Sequence, residues 1–554
     1  MASLIRKPEA FVALLVLMLG LLGRAVLLES TDLLDPTESR YASVAQQMVE
    51  SGNWLTPMLP MPEGMVPYLG KPPLHFWLTA LSYRLFGVDE WSSRLPSFLA
   101  AIGILFAIFL FARKYLGERE SIASCLIVIS SALFFFLAGA SVTDVTLTLA
   151  VTASIALLYR FVSDEQAPPK FAFLAAACAG LGFLCKGPVS LVLIWLPFLL
   201  WSAVRRDAAW MRRFPWILSL VSFLAVTAPW FVVSEIENPG FVHYFFWNEN
   251  VARYLFKDYG DRYGSGHKHP FGTSWTLLFG AFAPWSLALV YFVGSSGAKR
   301  FRALFRDNEH LQFIACWAIS APLFFTFVRQ LHIMYLLPAI PALGMLTAGA
   351  FYGLFPVSTR LQRLDRLVRS RYVLLFFVLL WIGEMTVCLS LTFTTKAFSS
   401  TLLLAAVGLT AVWSLRRRVD QLSLTTLLPA LLIVTYLTAI ASITPFLAEN
   451  QSAELALKSI PRDDRCDRRL HKVGVSTQNT FSHYWTAKAW TSELNEQMEI
   501  EYVPLTETVQ NDVCHLLIES KHADELPPHI SSAFDVVART DRWWVYGRRA
   551  LGKS

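Results

Sequence analysis

The sequence predicts an all-α polytopic membrane protein that ends in a small α/β domain outside the membrane. Three observations predict it. Of 554 residues, 55% are hydrophobic and only 16% charged, where a soluble protein of this length carries about 25% charge. Apolar runs of roughly 18 residues, the length that crosses a bilayer as a helix, recur over residues 8–447. From 448 onward the pattern changes to short β-branched and aromatic runs between polar pieces.

Thirteen spans are expected, near 8–28, 92–113, 119–138, 143–162, 170–186, 187–204, 214–234, 272–294, 309–328, 331–352, 372–394, 399–415 and 424–447. The first has no small-x-small cleavage site before the next segment and is read as a retained helix rather than a signal peptide. Alternate connections differ sharply in Lys and Arg. One side carries Arg6 and Lys7, then Arg113, Lys114 and Arg119, then Arg205, Arg206, Arg212 and Arg213, and later Arg416, Arg417 and Arg418. The short connections opposite hold little more than Lys186, Arg329 and Lys396. The basic side belongs in the cytoplasm, so the net charge of +7 reads as membrane topology and not as nucleic-acid binding. The C-terminus then lies outside.

The stretch 73–87 is apolar but short, and a crossing there would put the next basic loop on the wrong side. It is read as an interfacial or re-entrant helix. The membrane domain is therefore 1–447, with outer loops 29–91 and 235–271, and the outer domain is 448–554. In that domain "HKVGVST", "MEIEYVPL", "VCHLLIES" and "FDVVARTDRWWVYGRR" read as strands. None of the seven cysteines forms a CxxC pair. Cys466 and Cys514 lie in the tail, where an oxidising compartment permits a disulfide.

The unusual residues sit in the outer loops. In "DPTESRYASVAQQMV", Tyr41, Val44, Ala45, Met48 and Val49 follow helical spacing, which predicts an amphipathic helix along the membrane surface. Asp35 fits its N-cap, Pro36 its first position and Glu38 a capping carboxylate. The same two acids are candidates for chemistry, because Arg40 stands beside them. In "YLGKPPLHFW", Lys71 precedes two prolines that hold it in extended backbone before a helix starts. A cation fixed at a helix N-terminus suits an anion, and Arg40 with Lys71 suggests the phosphate of a membrane lipid.

Further along, Asp144 stands at the outer start of a span, either as a helix cap or as a positioning group for a substrate. Loop 248–271 holds Glu249, Arg253, His267 and His269 among aromatic residues. Two histidines two residues apart form a weak metal signal. Arg329, His332 and Tyr335 gather at the outer end of another span.

Taken in order, "ESRYASVAQQMVESGNWLTPML", "KPPLHFWLTALSYRLFG", "RLPS", "TDVTLTL", "HKHPF" and "YLLPAIPAL" resemble the bacterial aminoarabinose transferases that modify lipid A. Those belong to the GT-C glycosyltransferases, which include the protein O-mannosyltransferases. The resemblance covers roughly residues 10–345. It implies a GT-C fold of about thirteen spans with a periplasmic α/β domain in the bacterial inner membrane. It also implies inverting transfer of a sugar from a polyprenyl phosphate to lipid A or another periplasmic lipid or glycan.

Within that resemblance Arg40 and Lys71 hold the donor phosphate, Asp144 is an acid near the sugar, and His267 matches a metal-binding histidine. Two departures stand out. Thr37 occupies the position of the family's catalytic aspartate, so the role falls to Glu38 or Asp35. Gly70 replaces the glutamate that completes the family's zinc site, which weakens the case for a metal cofactor. The expected partners are the polyprenyl-phosphate sugar, a lipid or glycan acceptor and membrane lipids, for a monomer.

The other readings are a transporter of lipid-linked sugars, a protein O-glycosyltransferase and a non-catalytic assembly partner. Transporters show internal repeats and midplane charges. Here no repeat is evident, and apart from Glu384 the notable charges sit at the outer face.

Overall fold

The structure is a computed structural model. It describes residues 8–30, 33–34, 37–61, 64–252, 269–296, 298–354, 359–368, 371–391 and 424–451, and, in the tail, five strands and Ser532. The chain divides into two compact units. The first comprises Met1–Leu28, Leu69–His75 and Leu95–Ser442; the second comprises Glu29–Tyr68, Phe76–Arg94 and Ile443–Ser554.

Helices dominate the described residues up to Gln451. In chain order they begin with α1 (Pro8–Val26), and α2 (Thr37–Ser51) and α3 (Leu74–Phe86) follow. Next come α4 (Glu90–Tyr115), α5 (Glu118–Ile129), α6 (Ala132–Leu137), α7 (Thr143–Ser163), α8 (Lys170–Lys186) and α9 (Val189–Arg205). Later helices are Trp216–Glu237, Thr273–Ala281, Trp285–Ser296, Glu309–Phe325, Ile340–Leu354, Arg371–Leu391 and Leu424–Gln451. Among the described residues six helices are long and apolar enough to cross a membrane, and a seventh crossing arises if one bent pair counts as a span. The protein is a multi-pass membrane protein.

Several expected spans are broken rather than straight. The segment expected at 119–138 is two helices parted at Ser130 and Ser131. The one at 272–294 bends by 104° between Thr273–Ala281 and Trp285–Gly294, at a Pro284 that cannot continue the backbone ladder. The one at 331–352 starts as a 3-10 helix, Ile333–Ala339. The span expected at 399–415 lies outside the described residues.

A continuous apolar core of Phe111, Phe134, Phe135, Tyr159, Phe198, Trp285, Trp317 and their aliphatic neighbours packs these helices. Small residues let them approach. A Cβ on Gly344 would come within 2.3 Å of Val128 Cγ2, so only glycine allows that packing. Arg24, buried in the first helix, donates from Nε to the Phe135 carbonyl at 3.3 Å and from Nη2 to that of Phe136 at 3.2 Å. It thereby satisfies carbonyls at the C-terminal end of α6 that the helix leaves over.

In the second unit α2 differs from a helix lying on a surface. Its expected stripe of Tyr41, Val44, Ala45 and Met48 is buried, but so are Glu38, Ser39, Ala42, Ser43 and Gln46. A two-stranded antiparallel ribbon follows, β1 (Met58–Met61) with β2 (Gly64–Pro67).

The tail holds β3 (Arg469–Val473), β4 (Glu499–Val503), β5 (His515–Glu519), β6 (Phe534–Arg539) and β7 (Trp543–Arg548) in the order β4-β3-β5-β7-β6. β3 pairs in parallel with β4 and β5, while β5–β7 and β7–β6 are antiparallel. Parallel neighbours cannot be joined by a tight hairpin and need a crossover of about a dozen residues or more. Each strand falls inside a run read as a strand from sequence, or begins two residues before it. Cys466 and Cys514 lie outside the described residues.

Candidate active site

The site in the first unit starts from a glycine. α8 is an apolar helix that ends in Lys186, and Gly187 stops it at φ +72° and ψ −146°, a backbone region essentially reserved for glycine. Pro188 and α9 follow at once. A Cβ on Gly187 would lie 2.5 Å from the Phe245 ring. The missing side chain therefore lets the segment Tyr244–Ala252 sit against the break. That segment is a π-helix, a geometry that recurs at functional sites. It carries Glu249, which is buried.

These elements frame a cavity of about 560 Å³, within the range of small-ligand sites. Lys71, Asp144, Lys186, Glu249, Asn250 and Tyr335 give it polar groups, and Leu147, Val192, Leu193, Phe324 and Phe325 are among its apolar walls. Asp144 sits in the first turn of α7, and Pro188 and Val189 at the start of α9 also line the space. Two helix N-termini thus open towards it, and their dipoles favour negative charge there.

Among the described residues four charged side chains line the cavity, and they form two pairs. Lys186 Nζ lies 2.5 Å from Asp144 Oδ1 and 3.9 Å from the centroid of the Tyr335 ring. Lys71 Nζ lies 3.4 Å from Glu249 Oε1. Buried charges require partners, and two ammoniums with two carboxylates sum to zero.

Beside Asp144 on α7, Thr146 Oγ1 is 3.1 Å from Nδ1 of the fully buried His75. Burial pushes His75 down to about 4, against a smaller opposing pull from the Asp144 charge, so its ring is neutral near pH 7. Tyr335 belongs to the 3-10 helix Ile333–Ala339, capped by His332, whose Nδ1 accepts from the Met334 N–H at 3.5 Å.

Of the sequence-predicted residues, the cavity brings together Lys71, Asp144, Glu249 and Tyr335. His332 supports Tyr335 as its helix cap. Arg329 is exposed, its guanidinium 4.7 Å from the Phe271 ring. Its carbonyl accepts from the His269 N–H at 2.7 Å. Asp35, Arg253 and His267 lie outside the described residues. Sequence reasoning missed Lys186, which stood out only as a lone charge between two apolar runs. The signal was present: a Lys-Gly-Pro break inside an otherwise apolar stretch puts an ionisable group where it needs a function.

Glu38, Arg40 and Tyr41 belong to the second unit. Glu38 was expected to face a substrate as the catalytic acid. Its two oxygens are instead engaged by Arg94: Nε donates to Oε1 at 3.1 Å and Nη2 to Oε2 at 3.1 Å. The Leu34 N–H adds a third bond to Oε2 at 3.0 Å, the backward reach of a capping carboxylate. Both side chains are buried. Tyr83 OH bonds Ser93 Oγ at 2.6 Å and Ser82 Oγ donates to the Ser92 carbonyl at 2.7 Å, which fixes the turn presenting Arg94. Tyr41 packs edge-on to Phe76 at 5.5 Å, and Arg40 is half-buried.

Gly70 offers no ligand, and among the described residues no three of His, Cys, Asp and Glu converge; His267 lies outside the described residues.

The protein family model described as dolichyl-phosphate-mannose-protein mannosyltransferase matches residues 70–232. That range contains Lys71, Asp144 and Lys186. Over 353 residues the chain is 28% identical to the undecaprenyl phosphate-alpha-4-amino-4-deoxy-L-arabinose arabinosyl transferase of Shewanella sediminis, covering 63% of this chain and 59% of that protein. A second transferase of that name from Proteus mirabilis is 29% identical over 329 residues, 58% of this chain and 56% of its own length.

The crystal structure of ArnT from Cupriavidus metallidurans bound to undecaprenyl phosphate superposes with a TM-score of 0.73 at 22% identity, over 99% of this chain and 100% of that one. The chain is similar in sequence to these arabinosyl transferases and has the fold of the solved ArnT structure. The sequence match spans about three fifths of the length of the first curated relatives.

Proposed function

We propose that this protein is an inverting glycosyltransferase that moves a sugar from a polyprenyl phosphate to a lipid or glycan on the outer side of a bacterial inner membrane. The observation that carries the reading is the cavity: a lysine aimed into an apolar-walled space, with a second lysine–carboxylate pair beside it. An isoprenoid phosphate has that composition, an anion on an apolar chain. The arabinosyl transferases that the chain resembles are named for an undecaprenyl phosphate sugar, and the solved ArnT structure holds undecaprenyl phosphate.

The anomeric carbon of a sugar phosphate is already electrophilic. What the enzyme must supply is stabilisation of the leaving phosphate and an acceptor on the opposite face. Lys71 takes the developing negative charge. Asp144, beside Lys186, faces the sugar as general base for a hydroxyl acceptor or as a counter-charge to an oxocarbenium-like centre. A phosphate acceptor, as in lipid A, needs no base, which accommodates Thr37. Glu38 holds the loop through Arg94. The family model's description as a protein mannosyltransferase favours a protein hydroxyl as the second candidate acceptor.

The same reading places thirteen spans across the membrane, with loops 29–91 and 235–271 and an α/β tail on the periplasmic side, by the Lys and Arg asymmetry. The test is transfer by the purified protein in detergent from a polyprenyl-phosphate sugar to lipid A, with the product weighed by mass spectrometry. A product heavier by one sugar is expected. Movement of intact donor across vesicles without any transfer would replace the enzyme by a transporter.

A further inference from the structure

We propose that Glu249 is an exchangeable counter-ion, whose carboxylate holds Lys71 by the contact that the donor's phosphate takes over. The inference rests on the reading of the cavity as a polyprenyl-phosphate site and adds to it a device that selects charged lipids. Its first ground is charge balance. Among the described residues the four charged side chains that line the cavity sum to zero, so an entering phosphate adds net negative charge to them unless a carboxylate gives way. The second ground is asymmetry between the pairs. Lys186 is 2.5 Å from Asp144 and lies against the face of Tyr335, whereas Lys71 is 3.4 Å from Glu249. Lys71–Glu249 is the looser of the two pairs.

The third ground is the backbone beneath Glu249. It stands in the π-helix Tyr244–Ala252, where each turn holds more residues than the α-form. Relaxation towards the α-form rotates the carboxylate away from Lys71 without breaking the helix. Both ends of the exchange keep the buried ammonium paired, which a cavity of this kind demands. A neutral polyprenol carries no group that can displace a carboxylate from a lysine, so the pair rejects it. A polyprenyl phosphate brings several anionic oxygens to the same ammonium and wins. The released carboxylate then becomes an acceptor for sugar hydroxyls.

The experiment measures binding of polyprenyl phosphate without sugar, by calorimetry in detergent, to four proteins: wild type, Glu249→Gln, Lys71→Ala and the double variant. Removing the competing charge should tighten binding at least tenfold in Glu249→Gln, about 1.4 kcal/mol. The gain should vanish when Lys71 is already alanine. Glu249→Gln binding no better than wild type, while Lys71→Ala binds worse, overturns the exchange and leaves the phosphate site standing. Wild type that binds no polyprenyl phosphate overturns the phosphate reading itself. If Glu249→Gln does not fold, Glu249→Asp keeps the charge and shortens the reach. A folded Glu249→Asp should bind a few-fold tighter than wild type, and no gain overturns the proposal.

Discussion

Glu38–Arg94 in one unit and Lys71–Glu249 in the other are both buried ion pairs, yet they are built differently. Arg94 offers two N–H groups of its rigid fork to the two oxygens of Glu38, and a backbone N–H completes the set. Lys71 presents a compact ammonium on a flexible stem at 3.4 Å, on the wall of a cavity. A planar fork that matches a carboxylate fixes geometry, whereas an ammonium is a point charge that accepts any anion of the right sign. The difference separates a carboxylate locked by a matching fork from one held by a single ammonium at a cavity wall. Five substitutions sharpen or break that distinction.

The largest effect belongs to the scaffold pair. Truncating Arg94 to alanine strands Glu38 as a buried charge, which costs roughly 3–5 kcal/mol. A thermal melt of Arg94→Ala, and of Glu38→Gln, should show a large drop in Tm before any question of activity arises. A stable but inactive Glu38→Gln protein would return Glu38 to the catalytic role that the sequence suggested.

Lys71→Ala should behave in the opposite way. It removes a charge-assisted contact to phosphate worth roughly 1.5–3 kcal/mol, about ten- to a hundredfold in donor use. The melting curve should change far less than for Arg94→Ala. Unchanged transfer kinetics in a folded Lys71→Ala protein would show that the residue serves only the protein–membrane boundary.

Gly187 links the break after α8 to the cavity. Alanine there must adopt a conformation that costs roughly 1–3 kcal/mol, and its Cβ meets the Phe245 ring at 2.5 Å. Gly187→Ala should lower stability by that amount and also weaken polyprenyl phosphate binding, because Phe245 and Glu249 share one π-helix. Lost stability with unaltered binding would separate the break from the site.

Much of this was legible in the sequence, and the reasons differ by region. Long apolar runs and the five tail strands announce themselves by period and length, because burial in lipid or in a sheet demands that pattern. Lys71, Asp144, Glu249 and Tyr335 were visible as polar residues at the ends of apolar runs. The breaks at Ser130 and Ser131, and at Pro284, were not read. Local sequence does not say whether a span continues through such residues. Glu38 stayed ambiguous because a capping acid and a catalytic acid look alike along one chain. Only its meeting with Arg94, fifty-six residues later, distinguishes them. Lys186 was passed over because its partner, Asp144, lies forty-two residues away.

The smallest expected effect is a titration, and it concerns the cavity side alone. His75 lies on the short helix read as interfacial, fully buried, with its Nδ1 against Thr146. Burial lowers its pKa from 6.5 to about 4, and the nearby Asp144 charge only partly offsets this. The unfolded chain therefore binds more protons than the folded one between those values, so stability rises with pH across that window. Going from pH 7 to pH 5.5 should cost about 1 kcal/mol through this group. His75→Gln keeps a polar partner for Thr146 but cannot titrate, so its Tm should stay flatter over the same interval. An equally steep loss in His75→Gln would assign the acid sensitivity to another group and leave His75 as packing.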